Sequence, residues 1–174
     1  MVGTSGSGKS TLGKALAKRL GADFLKLDSV FHQPGWMPLP DEEFRRRVGD
    51  AVAGERWVVD GNYSKVRDIV WARADTVVWL DLPKRIVMRR IIWRSFRRAA
   101  RRTELWNGNR EHWRNLFSLD KEESIITWAW QTHAANRGKY AAAMADEANG
   151  ELHFVRLKNP AEIRRFLSSV SGGH

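Results

Sequence analysis

The sequence predicts an α/β fold, a parallel sheet with helices packed on both faces. Three observations carry that expectation. Residues 3 to 10 read G-T-S-G-S-G-K-S, a full match to G-x-x-x-x-G-K-[ST], a pattern that has to follow a strand and open a helix. Short apolar strands alternate with helical periodicities down the chain, without an internal repeat or a linker. Three of those strands run into aspartates, Asp28, Asp60 and Asp81, at the strand ends where such sheets bind ligands.

Taken in order, Met1 and Val2 form the end of a first strand. The helix after the loop has Leu12, Ala15, Leu16 and Leu20 on one face and stops at Gly21. A strand of about five residues should precede such a loop, so the natural start is expected upstream, and an apolar leader should raise the melting temperature. D-F-L-K-L (23–27) alternates as a strand delivering Asp28, and a proline-rich loop, 29–40, follows. Asp41, Glu42 and Glu43 open a helix, where acidic residues suit its positive end. Trp57 to Val59 is a strand running into Asp60-Gly61-Asn62-Tyr63, and 64–72 a short helix. T-V-V-W-L-D-L (76–82) reads as a strand buried on both faces. Pro83 then starts a helix reaching about Arg102. Residues 103–120 look irregular, 122–148 helical with a kink or break at Gly138, 153–157 a last strand, and Asn159-Pro160 the start of a final helix.

With 174 residues and 43% hydrophobic composition the chain has enough for one domain with a real core. It has no cysteine, which excludes disulfides, thiolate metal sites and cysteine nucleophiles. No apolar run approaches a membrane span, so a cytoplasmic location is expected. The net charge of +10 has one source: Lys84 to Arg114 holds eleven basic residues against two acidic ones. Such a patch attracts polyanions: nucleic acid, a membrane surface or the phosphates of a bound substrate. Arginines at 90, 94, 97/98 and 101 share one stripe. Trp106 and Trp113 flank N-G-N-R in the same segment, which keeps open a nucleic-acid surface over 97–114.

The loop's chemistry follows from its residue types. Gly3, Gly6 and Gly8 let the N–H groups of Thr4, Ser5 and Ser7 converge on a phosphate chain. Lys9 reaches the outer phosphates, Ser10 offers a hydroxyl to Mg²⁺, and Thr11 is placed for the α-phosphate. Asp60 and Asp81 both follow apolar strands, so the pattern leaves the magnesium-side acid between them. Gly61 favours Asp60, with Asp28 then facing the acceptor. The five histidines lack metal-ligand spacing, and only His32 stands near this chemistry.

The order of motifs resembles the adenylate-kinase-like P-loop kinases, and within them a bacterial branch labelled "topology modulation protein". The marks are G-T-S-G-S-G-K-S-T (3–11), L-D-S-V-F-H-Q-P-G-W (27–36), W-V-V-D-G-N-Y (57–63), L-D-L-P (80–83) and L-W-N-G-N-R-E (105–111). The resemblance implies a three-layer P-loop domain with a five-stranded parallel sheet and a helical, arginine-rich lid over about 97–123. It implies ATP and Mg²⁺ as cofactors, Asp60-Gly61 beside the metal, Arg90 and Arg94 on the adenine and phosphates, and Asn159 and Pro160 at the base. The acceptor would lie on about 28–55, with Asp28, His32, Trp36, Asp60, Gly61, Asn62, Tyr63 and Arg67 as its contacts. Lys9, Asp28, Arg90 and Arg94 would carry the transfer of the γ-phosphate. The chain departs from the nucleoside-monophosphate kinases at Asn62-Tyr63-Ser64, where they have phenylalanine, proline and a phosphate-gripping arginine.

Overall fold

The computed structural model describes residues 1–101, 107 and 125–170, and the side chains of 1–97, 107 and 127–170. Five strands are described: β1 (Val2–Gly3), β2 (Asp23–Lys26), β3 (Trp57–Asp60), β4 (Thr76–Leu80) and β5 (His153–Leu157). Seven helices accompany them: α1 (Lys9–Leu20), α2 (Leu27–Phe31), α3 (Asp41–Ala51), α4 (Arg67–Trp71), α5 (Lys84–Arg101), α6 (Ile125–Ala145) and α7 (Pro160–Ser169).

All strand pairs are parallel, in ladders β1-β4-β5 and β2-β3. The expected single sheet is thus divided, because β1 contributes only Val2 and Gly3 to a ladder. Met1 bridges the two parts. Its nitrogen donates to the Val59 carbonyl at 2.8 Å, and its carbonyl accepts from Gly61 N–H at 3.3 Å. One residue bonded to both neighbours of Asp60 is the pairing of a parallel bridge, and it gives the order β2-β3-β1-β4-β5. Val78, Leu80 and Leu157 meet Leu12 and Leu16 of α1, with Ile163 and Phe166 of α7 packed against them. A second cluster joins Val59 to Leu27, Phe44, Val48 and Val66.

Three local readings change. Asp28 does not end a strand: β2 stops at Lys26, and Asp28 lies in the first turn of α2. Leu27 turns into the core at 2% exposure, and His32 N–H closes the turn on the Asp28 carbonyl. β4 ends at Leu80, with Asp81 N–H donating to the Leu157 carbonyl. α6 runs unbroken through Gly138. Most of the segment read as a lid, 102–106 and 108–123, lies outside the described residues. No described helix is long and apolar enough to cross a membrane.

Candidate active site

The loop between β1 and α1 has the backbone its glycines allow. Gly3, Gly6 and Gly8 take φ of 135°, 80° and 103°, a region L side chains avoid. Gly8 is the N-cap of α1, so the helix's positive end and first free N–H groups face the loop. The Lys9 ammonium donates to the Gly3 carbonyl at 2.8 Å and the Thr4 carbonyl at 3.1 Å. Burial lowers its pKa; Asp60 and Asp28 partly offset this, while Arg94 and Lys26 add to it.

Two arginines of α5 turn inward onto the same loop. Arg90 donates through Nη1 to the Ser7 carbonyl at 2.8 Å, and Arg94 through Nη2 to Ser5 Oγ at 3.3 Å. Ser7 is fully buried, and its Oγ has no hydrogen-bond partner among the described residues. The loop rests on Ile91, one residue beyond Arg90: a Cβ on Gly6 would stand 2.3 Å from Ile91 Cγ1.

Asp60 and Asp81 differ in what they contact. Ser10 Oγ donates to Asp60 Oδ2 at 2.5 Å, so the hydroxyl and the carboxylate meet at one point beside Lys9. Both are hard oxygen donors of the kind Mg²⁺ takes, usually one or two per protein with phosphate and water completing the octahedron. No group of three or more His, Cys, Asp or Glu able to hold a metal occurs among the described residues. The residues present therefore fit a magnesium carried in with phosphates. Asp81 is occupied elsewhere. Its fully buried carboxylate takes Arg156 Nη2 at 2.5 Å and Arg137 Nε at 2.7 Å, and Arg156 lies 4.3 Å from the Trp79 ring centroid.

A second group forms around Asp28. The Tyr63 hydroxyl donates to Asp28 Oδ1 at 3.0 Å, and His32 Nε2 lies 3.3 Å from the same hydroxyl. The hydroxyl has one proton, and with that on Asp28 the imidazole donates through Nε2–H. Burial lowers the His32 pKa, with Asp28 opposing, and burial together with Asp28 raises that of Tyr63, so both are neutral near pH 7. Tyr63 packs on Phe31 and Phe44, and Trp36 stands edge-on to His32 at 5.4 Å. Asn107 donates to the His32 carbonyl, tying that part of 97–123 to the loop after α2.

Three residues read as acceptor or base contacts have other partners. Asn62 clips the loop: Gly3 N–H donates to its Oδ1 at 3.2 Å, and its Nδ2 donates to the Gly3 carbonyl at 2.5 Å. Arg67 lies over the Trp71 ring at 5.3 Å, because one turn of α4 puts the two side chains on one face. The Asn159 side chain caps α7, accepting from Glu162 N–H at 2.9 Å and donating to Glu162 Oε1 at 2.6 Å. Any contact of that loop with a base is left to backbone and to Pro160. Sequence reasoning did not single out Arg137, Arg156 or Ile91; an apolar position next to Arg90 on a loop-facing helix was the available signal for Ile91.

Residues 5–46 match the family model for shikimate kinase. The chain is 32% identical over 131 residues to the uncharacterized protein YqaC of Bacillus subtilis (strain 168), covering 74% of this chain and 68% of YqaC. It is 34% identical over 105 residues to a shikimate kinase of Synechococcus sp. (strain RCC307), covering 52% of this chain and 54% of that one. It thus spans about half the length of that shikimate kinase. A gluconokinase crystal structure from Sinorhizobium meliloti 1021 is similar at a TM-score of 0.47 and 19% identity, over 96% of this chain and 91% of that one. The chain belongs to the family that includes YqaC, and part of it is similar to shikimate kinases.

Proposed function

We propose that the chain transfers the γ-phosphoryl group of Mg-ATP to a hydroxyl of a small acceptor. The observation that carries this is the geometry of the loop: Lys9 donates to the Gly3 and Thr4 carbonyls, and the next residue, Ser10, donates to Asp60. Phosphoryl transfer asks for little covalent chemistry from a protein and much positioning and charge neutralisation. The loop N–H groups and Lys9 hold the phosphate chain, and Arg90 and Arg94 exchange their bonds to Ser7 and Ser5 for phosphate oxygens. Ser10 and Asp60 would hold the magnesium, which would supply charge neutralisation at the outer phosphates. Asp28 orients the acceptor hydroxyl and receives its proton, and Tyr63 fixes the carboxylate that does so. The motifs also resemble the "topology modulation protein" branch, a label that assigns no acceptor.

The arginine stripe favours nucleotide over nucleic acid as the polyanion, because Arg90 and Arg94 turn onto the loop. The test is ADP release from Mg-ATP with a panel of acceptors. One acceptor class is expected to stimulate turnover. Lys9→Ala is expected to reduce that turnover by about 10²–10³-fold, the loss typical of removing one preorganised charge-stabilising group. Its far-UV circular dichroism and melting curve should stay those of a folded protein. Turnover at the unmodified rate in Lys9→Ala would refute the donor assignment.

A further inference from the structure

The phosphate loop begins where a strand pairing gives out. Gly61 N–H donates to the Met1 carbonyl at 3.3 Å, and in a parallel ladder Gly3, two residues on, turns its N–H and carbonyl to the same side. There β3 has ended at Asp60, and Gly61 at φ 154° takes the chain close against Leu27. The Asn62 side chain continues the ladder instead. Gly3 N–H donates to its Oδ1 at 3.2 Å, and its Nδ2 donates to the Gly3 carbonyl at 2.5 Å. A carboxamide carries the donor and the acceptor of a peptide group, so it can stand in for one. The same Gly3 carbonyl anchors the loop lysine. Lys9 Nζ donates to it at 2.8 Å and to the Thr4 carbonyl at 3.1 Å. A carbonyl oxygen has two lone pairs, and at Gly3 one meets Asn62 and the other Lys9.

We propose that Asn62 is a positioning residue for phosphoryl transfer: by clamping Gly3 it aims the Lys9 ammonium at the outer phosphates of the nucleotide. This rests on the phosphotransfer reading and adds a residue that acts through Lys9. An ammonium has three N–H groups. With two of them on the Gly3 and Thr4 carbonyls, the direction of the third follows from where those carbonyls stand. Glycine has little preference of its own to hold a carbonyl in one orientation, so at Gly3 the orientation comes from its partners. Without the carboxamide, the Gly3–Thr4 peptide can rotate and Lys9 follows its anchor. The effect of Asn62 on the nucleotide therefore depends on Lys9 being present.

The experiment is a double-variant cycle on the full chain: Asn62→Leu, Lys9→Ala and the two together. Leucine approximates the shape of asparagine and removes both bonds. Mg-ATP affinity is measured by calorimetry, and ADP release at saturating Mg-ATP is read in the same samples. Asn62→Leu is expected to weaken Mg-ATP binding about tenfold, equivalent to ~1.4 kcal/mol. Its kcat should fall as well, because a loss of uniform binding alone would leave kcat unchanged. In the Lys9→Ala background the same substitution should change affinity by less than about twofold, since nothing is left to aim. A purely structural Asn62 would lower the melting temperature in both backgrounds and leave the kcat of the folded protein unmoved. Unchanged affinity or unchanged kcat in folded Asn62→Leu overturns the proposal, and so does an equal loss with and without Lys9. If Asn62→Leu does not fold, Asn62→Ala, which leaves room for water on Gly3, runs the same cycle. Failure of both to fold makes Asn62 a folding residue and overturns the proposal too. A parent chain that does not bind Mg-ATP overturns the donor reading, and the proposal with it.

Discussion

Gly6 tests whether α5 is the floor of the phosphate loop. In Gly6→Ala the new methyl group would stand 2.3 Å from Ile91 Cγ1, 3.0 Å from Ile91 Cδ1 and 3.2 Å from the Val87 carbonyl. Ile91 is fully buried among Leu82, Val87, Met88 and Ala129, so its side chain has nowhere to retreat. Backbone strain adds to the clash, because Gly6 has φ of 80°. The strain is worth about 1–2 kcal/mol and overpacking about 1–3 kcal/mol, which makes a loss of about 2–5 kcal/mol. A domain with ~5–15 kcal/mol of stability survives that and can be measured. The assay is urea unfolding, run as a cycle with Ile91→Ala. That change removes about 2–5 kcal/mol by its own cavity but also the atoms the new methyl meets. The double variant should therefore be more stable than the sum of the singles by about 1–3 kcal/mol, since the clash is relieved and the strain is not. Mg-ATP affinity should fall in Gly6→Ala, because any retreat of α5 carries Arg90 and Arg94 away from the loop. Additivity within about 0.5 kcal/mol, or a Gly6→Ala protein as stable as the parent, would refute the contact and with it the placement of both arginines.

Two further outcomes follow from the carboxylates. Asp81→Ala leaves two arginines without their buried partner; a broken buried pair usually loses about 3–5 kcal/mol. Here Arg156 and Arg137 are 30% and 51% exposed and can rehydrate, so about 1–3 kcal/mol is expected by urea unfolding, with Mg-ATP affinity unchanged; lost affinity at full stability would mean that Asp81, not Asp60, serves the metal. The His32 imidazole should titrate below its ordinary 6.5 by NMR, because burial lowers it, and lower still in Asp28→Asn, which removes the charge that opposes the shift. A group whose folded pKa is depressed in this way binds fewer protons than the unfolded chain, so its contribution to stability falls as pH drops through 6.5; a His32 pKa above 6.5 would contradict the buried, neutral ring.

The donor half was legible because its signals are local. Nine consecutive residues, 3–11, hold the glycines, the lysine and the hydroxyls, and the apolar face of α1 follows at once. The acceptor half was less so because it is assembled by long-range pairing. Asp60 and Asp81 look alike in sequence, each after an apolar strand. Strand order separates them: Asp60 comes to lie beside Met1 and Ser10, and Asp81 beside Arg156 of β5. D-G-N-Y reads as one contiguous acceptor motif, yet Gly61 at φ 154° sends its neighbours to different partners. A Cβ there would stand 2.8 Å from Leu27, so this backbone runs close against α2. Asn62 reaches the first glycine of the loop and Tyr63 reaches Asp28, across separations of 59 and 35 residues. No local pattern encodes that split.

The divided charge explains why a stripe of arginines can fold at all. Like charges one helical turn apart repel by a few tenths of a kcal/mol per pair, and α5 alone has eight basic residues and no acidic one. Arg90 and Arg94 relieve part of this by donating to Ser7 and Ser5, but the relief is incomplete, since Arg94 and Lys26 still push Lys9 toward its neutral form. A polyphosphate supplies the anion that the loop region lacks and turns those repulsions into charge-assisted bonds. On the acceptor side Arg45, Arg46, Arg47 and Lys65 are spent on Asp41, Glu43, Asp50 and Asp68. Those paired cations add no competing pull on the phosphates, and the nucleotide is held to the arginine side while Asp28 remains available to a hydroxyl.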